Sequence, residues 1–212
     1  MHISEGVLSV PVLVGGAVAA AAGVAVGLRK LDYEQMPRVA MLSSVFFVAS
    51  LIHVPIGPSS VHLVLNGLVG VVLGWLAFPA LLVALFLQAI LFGFGGPTAL
   101  GANTVVMAAP AVVCYHLFRR ALRGQRRSVA LGAAFAAGAL GIALGCLLLG
   151  LALFATGKEF LPVVGVALAA HVPVMVIEGF VTASVVAFLR KVCPELLDGR
   201  PPRPGEEEAA YA

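Results

Sequence analysis

The chain has 212 residues, 61% of them hydrophobic and only 11% charged, with a mean hydropathy of +1.07. A soluble domain carries roughly 25% charged residues. Between Arg38 and Arg119 no Asp, Glu, Lys or Arg occurs over 80 residues, and Ser128 to Gly157 is a second uncharged run of 30, which excludes a soluble fold and places the chain in a lipid bilayer.

At about 20 apolar residues per crossing, the length allows six to eight spans and no soluble catalytic domain. The net charge of +3 does not point to nucleic acid, because the arginines cluster at the ends of apolar segments, a pattern of membrane orientation. Cys114, Cys146 and Cys193 are odd in number and lie in or beside apolar segments. They read as packing residues.

In chain order, Val7 to Leu28 is an Ala-, Gly- and Val-rich run ending at Arg29 and Lys30. It is long enough to span, and too long and too poor in preceding charge for a cleaved signal peptide. The 80-residue run is interrupted by Pro and Gly chemistry at His53-Val54-Pro55-Ile56-Gly57-Pro58-Ser59-Ser60, at Phe78-Pro79 and at Gly93-Phe94-Gly95-Gly96-Pro97-Thr98. Its pieces are predicted helices near 39–53, 60–77, 79–92 and 98–118. After the basic stretch Arg119 to Arg127 come spans near 129–155 and 162–189. The reading is an all-α polytopic membrane protein of seven transmembrane helices over residues 1–192, with 193–212 as a disordered cytoplasmic tail.

With the N-terminus outside, 12 of the 13 Lys and Arg residues fall on the cytoplasmic side and only Lys158 falls outside, as the positive-inside rule requires. The same orientation gathers His2, His53 and His62 at the outer face, beside the Gly93 to Thr98 break. A free α-amine on Met1, the backbone nitrogen of His2 and its imidazole can close fused five- and six-membered chelate rings around one cation. That leaves a fourth position for an imidazole such as His62, an arrangement that suits Ni(II) or Cu(II); a histidine at position 2 by chance remains the alternative. Taken alone, His53 reads as an interfacial histidine bonded to a carbonyl in preference to a metal ligand.

Ser59 and Ser60 read as caps of the span beginning near 60, with His62 and Asn66 on one face of its first turns. Gln88, Asn103, His116, His171 and Glu178 are polar groups deeper in the apolar segments, where such groups face the bundle interior. His171 and Glu178, two turns apart, form either a proton relay or, as we prefer, a buried polar tie between helices. Helical rise puts Glu178 some 20 Å from the outer site. Small residues at four-residue spacing in the first span, Ala17, Ala21, Ala25 and Gly15, Ala19, Gly23, Gly27, allow close helix approach.

Met1-His2-Ile3-Ser4-Glu5-Gly6, the stretch from His53 to His62, Gln88 through Asn103, and His171-Val172-Pro173 with Ile177-Glu178-Gly179 resemble the CbiM/NikM family. These are substrate-binding membrane components of cobalt and nickel energy-coupling-factor transporters. The resemblance implies capture of Co2+ or Ni2+ through Met1, His2 and His62; His53, Ser60, Asn66, Gln88 and Asn103 are the candidate supporting groups. It further implies a prokaryotic inner-membrane location, a transmembrane coupling subunit, a pair of cytoplasmic ATPases and a small accessory membrane subunit. No G-x-x-x-x-G-K-[ST] loop is present, so ATP hydrolysis belongs to the partners, and the chain is not expected to be an enzyme or to need a cofactor. Ser4, the Val7-Leu8-Ser9 continuation and the His53 to Asn66 stretch look more like nickel-type than cobalt-type members.

Two other readings stand beside this one. An uptake component for an organic substrate predicts an aromatic pocket and indifference to a blocked N-terminus. An intramembrane hydrolase would pair Ser59 or Ser60 with His62, but no G-x-S-x-G elbow is present.

Overall fold

The computed structural model describes residues 2–56 and 59–198, with the side chains of 53–62, 160, 161, 163, 167 and 198 outside that description. Among the described residues there are seven helices of eight residues or more: α1 (Val10–Leu28), α2 (Met36–Ala49), α3 (Asn66–Leu73), α4 (Ala77–Phe92), α5 (Leu100–Leu122), α6 (Arg127–Thr156) and α7 (Leu161–Val192). A short α8 (Glu195–Asp198) follows. Between α2 and α3 lies an antiparallel hairpin of β1 (His53–Ile56) and β2 (Ser59–His62), whose register pairs His53 with His62 and Ile56 with Ser59.

Close approaches at glycine fix the direction of each helix. A Cβ on Gly16 would meet Ala102 and one on Gly70 would meet Ala111, and on Gly27 and Gly74 the neighbours become Pro79 and Tyr115; α1 and α3 therefore run the same way as α5. Ser43 donates to the Ala80 carbonyl and Gln88 to Ser50, so α2 and α4 run together the other way. α6 ends where the Ser9 amide donates to Thr156. α7 ends where Arg190 donates to the carbonyls of Leu122 and Gly124, capping the foot of α5. One end of the bundle thus carries His2, the hairpin and residues 93–98, and the other carries Lys30, Arg38, Trp75, Arg119, Arg123 and Arg190.

The core lies around α3 and α4. The most apolar 18-residue window of their joint stretch, residues 66–92, is 83% buried, against 17% for the corresponding window of α1, which leaves α1 an apolar outer surface with Val10, Val14 and Val18 exposed. α1, α5, α6 and α7 each have the length and apolarity to cross a membrane, and 66–92 is a fifth such stretch. That stretch reverses on itself, because α3 follows the direction of α5 and α4 opposes it.

Several expectations are corrected. The piece near 39–53 is helical only over Met36–Ala49, 14 residues or about 21 Å, too short to span alone. The piece near 60–77 does not begin as a helix: Ser59 to His62 are strand, so Ser59 and Ser60 are not caps, and His62 and Asn66 do not share a helical face. β-Branched Val54, Ile56 and Val61 favour the extended state and Pro55 opposes a helix. Helix starts only after Leu65, whose φ of 52° is left-handed. The break expected at Phe78-Pro79 falls instead at Gly74, φ +56°; Pro79 sits in the first turn of α4, where a missing amide donor costs nothing. Within the expected tail, residues 195–198 form α8, and Leu197 is buried in the core; residues 199–212 lie outside the described residues.

Candidate metal-capture site

The segment before α1 is threaded into the bundle and held there by side chains from three helices. Asn103, 2% exposed on α5, accepts from the Ile3 amide at 2.8 Å and donates to the Ile3 carbonyl at 3.0 Å. Its primary amide therefore pairs with both polar groups of one residue, as a neighbouring strand would. Ile3 itself is buried at 3% exposure. Glu5 accepts from the Thr98 amide at 3.1 Å, and a Cβ on Gly96 would collide with the Glu5 carboxylate.

The turn from Gly93 to Thr98 is shaped to receive this segment. Gly93, Gly95 and Gly96 all have positive φ, the backbone region glycine enters without a Cβ penalty. At Gly95 a Cβ would sit 2.5 Å from Asn103 Nδ2 and 3.4 Å from the Ile3 carbonyl. The glycine thus leaves room for the clamp itself.

His2 is oriented by a chain of buried groups. Its Nε2 lies 2.8 Å from Gln88 Oε1, Gln88 Nε2 donates to Ser50 Oγ at 2.7 Å, and Ser50 donates to the Phe47 carbonyl at 2.7 Å. Gln88 and Ser50 are fully buried. The terminal carbonyl accepts only, so Ser50 must give its proton there and accept from the Gln88 amide group, which turns Oε1 toward His2. His2 then donates from Nε2, and the neutral tautomer carries its lone pair on Nδ1. Phe94 packs 5.7 Å from the His2 ring, with Phe92 5.7 Å beyond it.

A buried carboxylate organises the chain that follows the hairpin. Glu178 of α7, fully buried, accepts from the amides of Val64 and Leu65, immediately before α3. There it also faces the positive end of that helix dipole. The helical-rise estimate of about 20 Å between Glu178 and the outer site is therefore replaced by a hydrogen bond to Val64, two residues beyond His62. The reason is that residues 59–65 enter the bundle as strand and non-helical chain before the helix begins. Asn66 is buried and donates to the Gly141 carbonyl at 3.1 Å, and His171 is buried two turns before Glu178 on α7.

Of the predicted site residues, the structure joins His2 directly to Gln88, brings Asn103 to the adjacent Ile3, and places Asn66 at the start of α3. Met1 and the side chains of His53, Ser60 and His62 lie outside the described residues. Ser50, Phe94 and Thr98 were not singled out from sequence. Ser50 offered no signal, whereas Phe94 and Thr98 sit in the glycine-rich break itself.

The family model described as the cobalt uptake substrate-specific transmembrane region matches residues 2–196. A putative metal transport protein of Haemophilus influenzae is 45% identical over 204 residues, covering 93% of this chain and 97% of that protein. A fused nickel transport protein NikMN of Rhodobacter capsulatus is 37% identical over 94% of this chain, which spans 65% of that fused protein. A crystal structure of a transition metal transporter superposes with a TM-score of 0.72 at 29% identity, covering 91% of this chain and 93% of that one.

Proposed function

The chain belongs to the family of cobalt uptake substrate-specific transmembrane regions, and from that premise we propose that it captures Ni2+, in preference to Co2+, at the histidine end of the bundle. The ligands are the α-amine of Met1, the backbone nitrogen and imidazole of His2, and the imidazole of His62. The observation that carries this reading is the His2 to Gln88 hydrogen bond. A six-membered chelate ring running from the His2 backbone nitrogen through Cα, Cβ and Cγ must close on Nδ1, and Nε2 donation to Gln88 puts the lone pair there. Holding the second ring nitrogen is the usual way a protein fixes the tautomer and aim of a metal-binding histidine.

A nitrogen set with one open or imidazole-filled place in a plane suits Ni(II) among the divalent ions. Coordination through the His2 backbone nitrogen displaces its proton, so the ion enters the bundle with lower net charge and without a carboxylate ligand. His53, Ser60 and Asn66 belong with the supporting groups, and His171 with Glu178 forms a buried polar tie.

The seven helices are arranged with the histidine end outside and the arginine end in the cytoplasm of a prokaryotic inner membrane, as the distribution of Lys and Arg supports. ATP-driven reorientation by a transmembrane coupling subunit and a pair of cytoplasmic ATPases, with a small accessory membrane subunit, delivers the ion, as in an energy-coupling-factor transporter. Calorimetric titration of the purified protein with Ni2+ and Co2+ tests the site. Native protein binds Ni2+ more tightly, while an N-terminally extended form and His62→Ala each lose tight binding. Undiminished binding by the extended form overturns the amine ligand, and equal or tighter binding of Co2+ overturns the metal preference.

A further inference from the structure

The arginine end of the bundle contains a cavity of about 200 Å³ between the C-terminal ends of α1 and α5, the start of α2 and the reversal at Gly74. Lys30, Arg38, Arg119 and Arg123 line it together with Trp75 and Tyr115, and no Asp or Glu occurs among its described lining residues. We propose that this cavity is a binding site for a phosphoryl anion.

Three observations carry the proposal. First, four cationic side chains line one small volume at the edge of the bundle, where a bound anion lowers their mutual repulsion. Second, Nε of Arg38 is buried with no hydrogen-bond partner among the described residues, and an orphaned buried donor in a native fold marks a missing water or ion. Third, the aromatic groups hold the cations in place. Lys30 Nζ lies 5.3 Å from the Trp75 ring centroid and Arg119 Cζ lies 5.7 Å from that of Tyr115, and the Trp75 indole donates to His116 at 3.1 Å.

A phosphoryl group fits this set better than a carboxylate does. Its three terminal oxygens accept from several directions, and the planar guanidinium fork matches phosphate in a bidentate manner. Such a group reaches the site either as the headgroup of an anionic phospholipid or as a soluble phosphate. Basic pockets between helices at a cytoplasmic membrane surface suit the first source. Exposed Leu28 and Leu117 lie within a turn of Lys30 and Arg119 and offer apolar surface to an acyl chain.

The chain has a single tryptophan, and it lines the cavity, so intrinsic fluorescence reads occupancy. The full-length protein is placed in phosphate-free maltoside micelles, with phosphatidylglycerol added to the micelles in one arm, inorganic phosphate added to the buffer in the other, and polyglutamate as the carboxylate control for both. A saturable change in Trp75 emission is expected. A response confined to the lipid arm identifies a headgroup, and one in the phosphate arm identifies a soluble anion. Arg38→Gln and Arg119→Gln each weaken binding about fivefold and the double variant tenfold or more, while Arg120→Gln, on the exposed neighbouring position, leaves it unchanged. Ni2+ titration at the opposite end verifies that each variant is folded. The proposal is overturned by no saturable change in either arm, by wild-type anion binding in the folded Arg119→Gln and double variants, or by a response to polyglutamate and to neither phosphate source.

Discussion

Asn103→Leu tests whether the N-terminal segment is assembled into the site by its clamp. The substitution removes both hydrogen bonds to Ile3, each contributing about 1 kcal/mol net. Were the segment to stay docked, the Ile3 amide and carbonyl would be buried without partners, at about 1–3 kcal/mol each. Burial of the Ile3 side chain returns only about 1.5–3 kcal/mol, so docking then rests on the bonds at His2, Glu5 and Ser9 and shifts toward the released, rehydrated segment. A loss of about 2–3 kcal/mol in docking corresponds to roughly 30- to 150-fold. Because apparent affinity scales with the docked fraction, and the wild type holds some reserve of docking energy, the expected rise in the Ni2+ Kd is tenfold or more. Calorimetry measures it, and acylation of the α-amine without metal should accelerate in parallel. Asn103→Asp keeps an acceptor for the Ile3 amide but opposes a carboxylate oxygen to the Ile3 carbonyl, and should fall between wild type and Asn103→Leu. Wild-type Ni2+ affinity in a folded Asn103→Leu protein would refute the reasoning.

Gln88→Met keeps the helix and much of the volume but removes the acceptor that orients His2; nickel affinity should fall by about 10- to 100-fold, read by the same titration. Glu178→Leu leaves the Val64 and Leu65 amides unpaired in the bundle at about 1–3 kcal/mol each, so thermal unfolding in detergent should shift clearly downward, with Glu178→Gln intermediate because one acceptor oxygen survives. Gly70→Ala puts a Cβ 2.2 Å from the Ala111 carbonyl, an overpacking worth about 1–3 kcal/mol, whereas Gly15→Ala meets nothing within 4 Å and should be neutral or stabilise by up to about 1 kcal/mol. Equal melting temperatures for those two alanine variants would contradict the helix directions derived from the glycine contacts.

The residues that announce themselves in sequence are those whose physics is local. Charge along the chain separates the arginine end from the histidine end, because a charge in an apolar segment is costly wherever the chain folds. The Gly93 to Thr98 break is legible for the same reason, since three glycines and a proline cannot continue a helix. What escapes is set by tertiary contact. Pro55 and the β-branched residues around it are compatible with a turn before a helix, and only docking under α7 selects a hairpin and places His62 on a strand. Phe78-Pro79 looks like a break, yet a proline in a first turn is harmless, and the reversal uses Gly74, which sits among other glycines with nothing local to distinguish it. The pairing of Asn103 with Ile3 spans 100 residues, and neither partner hints at the other.

The buried polar groups share a logic that sequence position conceals. Gln88 holds His2, Asn103 holds Ile3, Glu178 holds the backbone two and three residues beyond His62, and Asn66 bonds to α6 just after that. None of these side chains needs to touch the ion. Each instead fixes one of the two chain segments that carry the proposed ligands, and neither segment is helical, so neither supplies its own backbone partners. In an apolar medium an unpaired backbone amide costs several kcal/mol, and pairing those amides with amide and carboxylate side chains satisfies the backbone while setting its position. The proposed site, made from the segment before α1 and a hairpin, draws on chain that is flexible by default. The buried Asn, Gln and Glu residues are what convert it into a preorganised one, with the ordering cost met on folding instead of on metal binding.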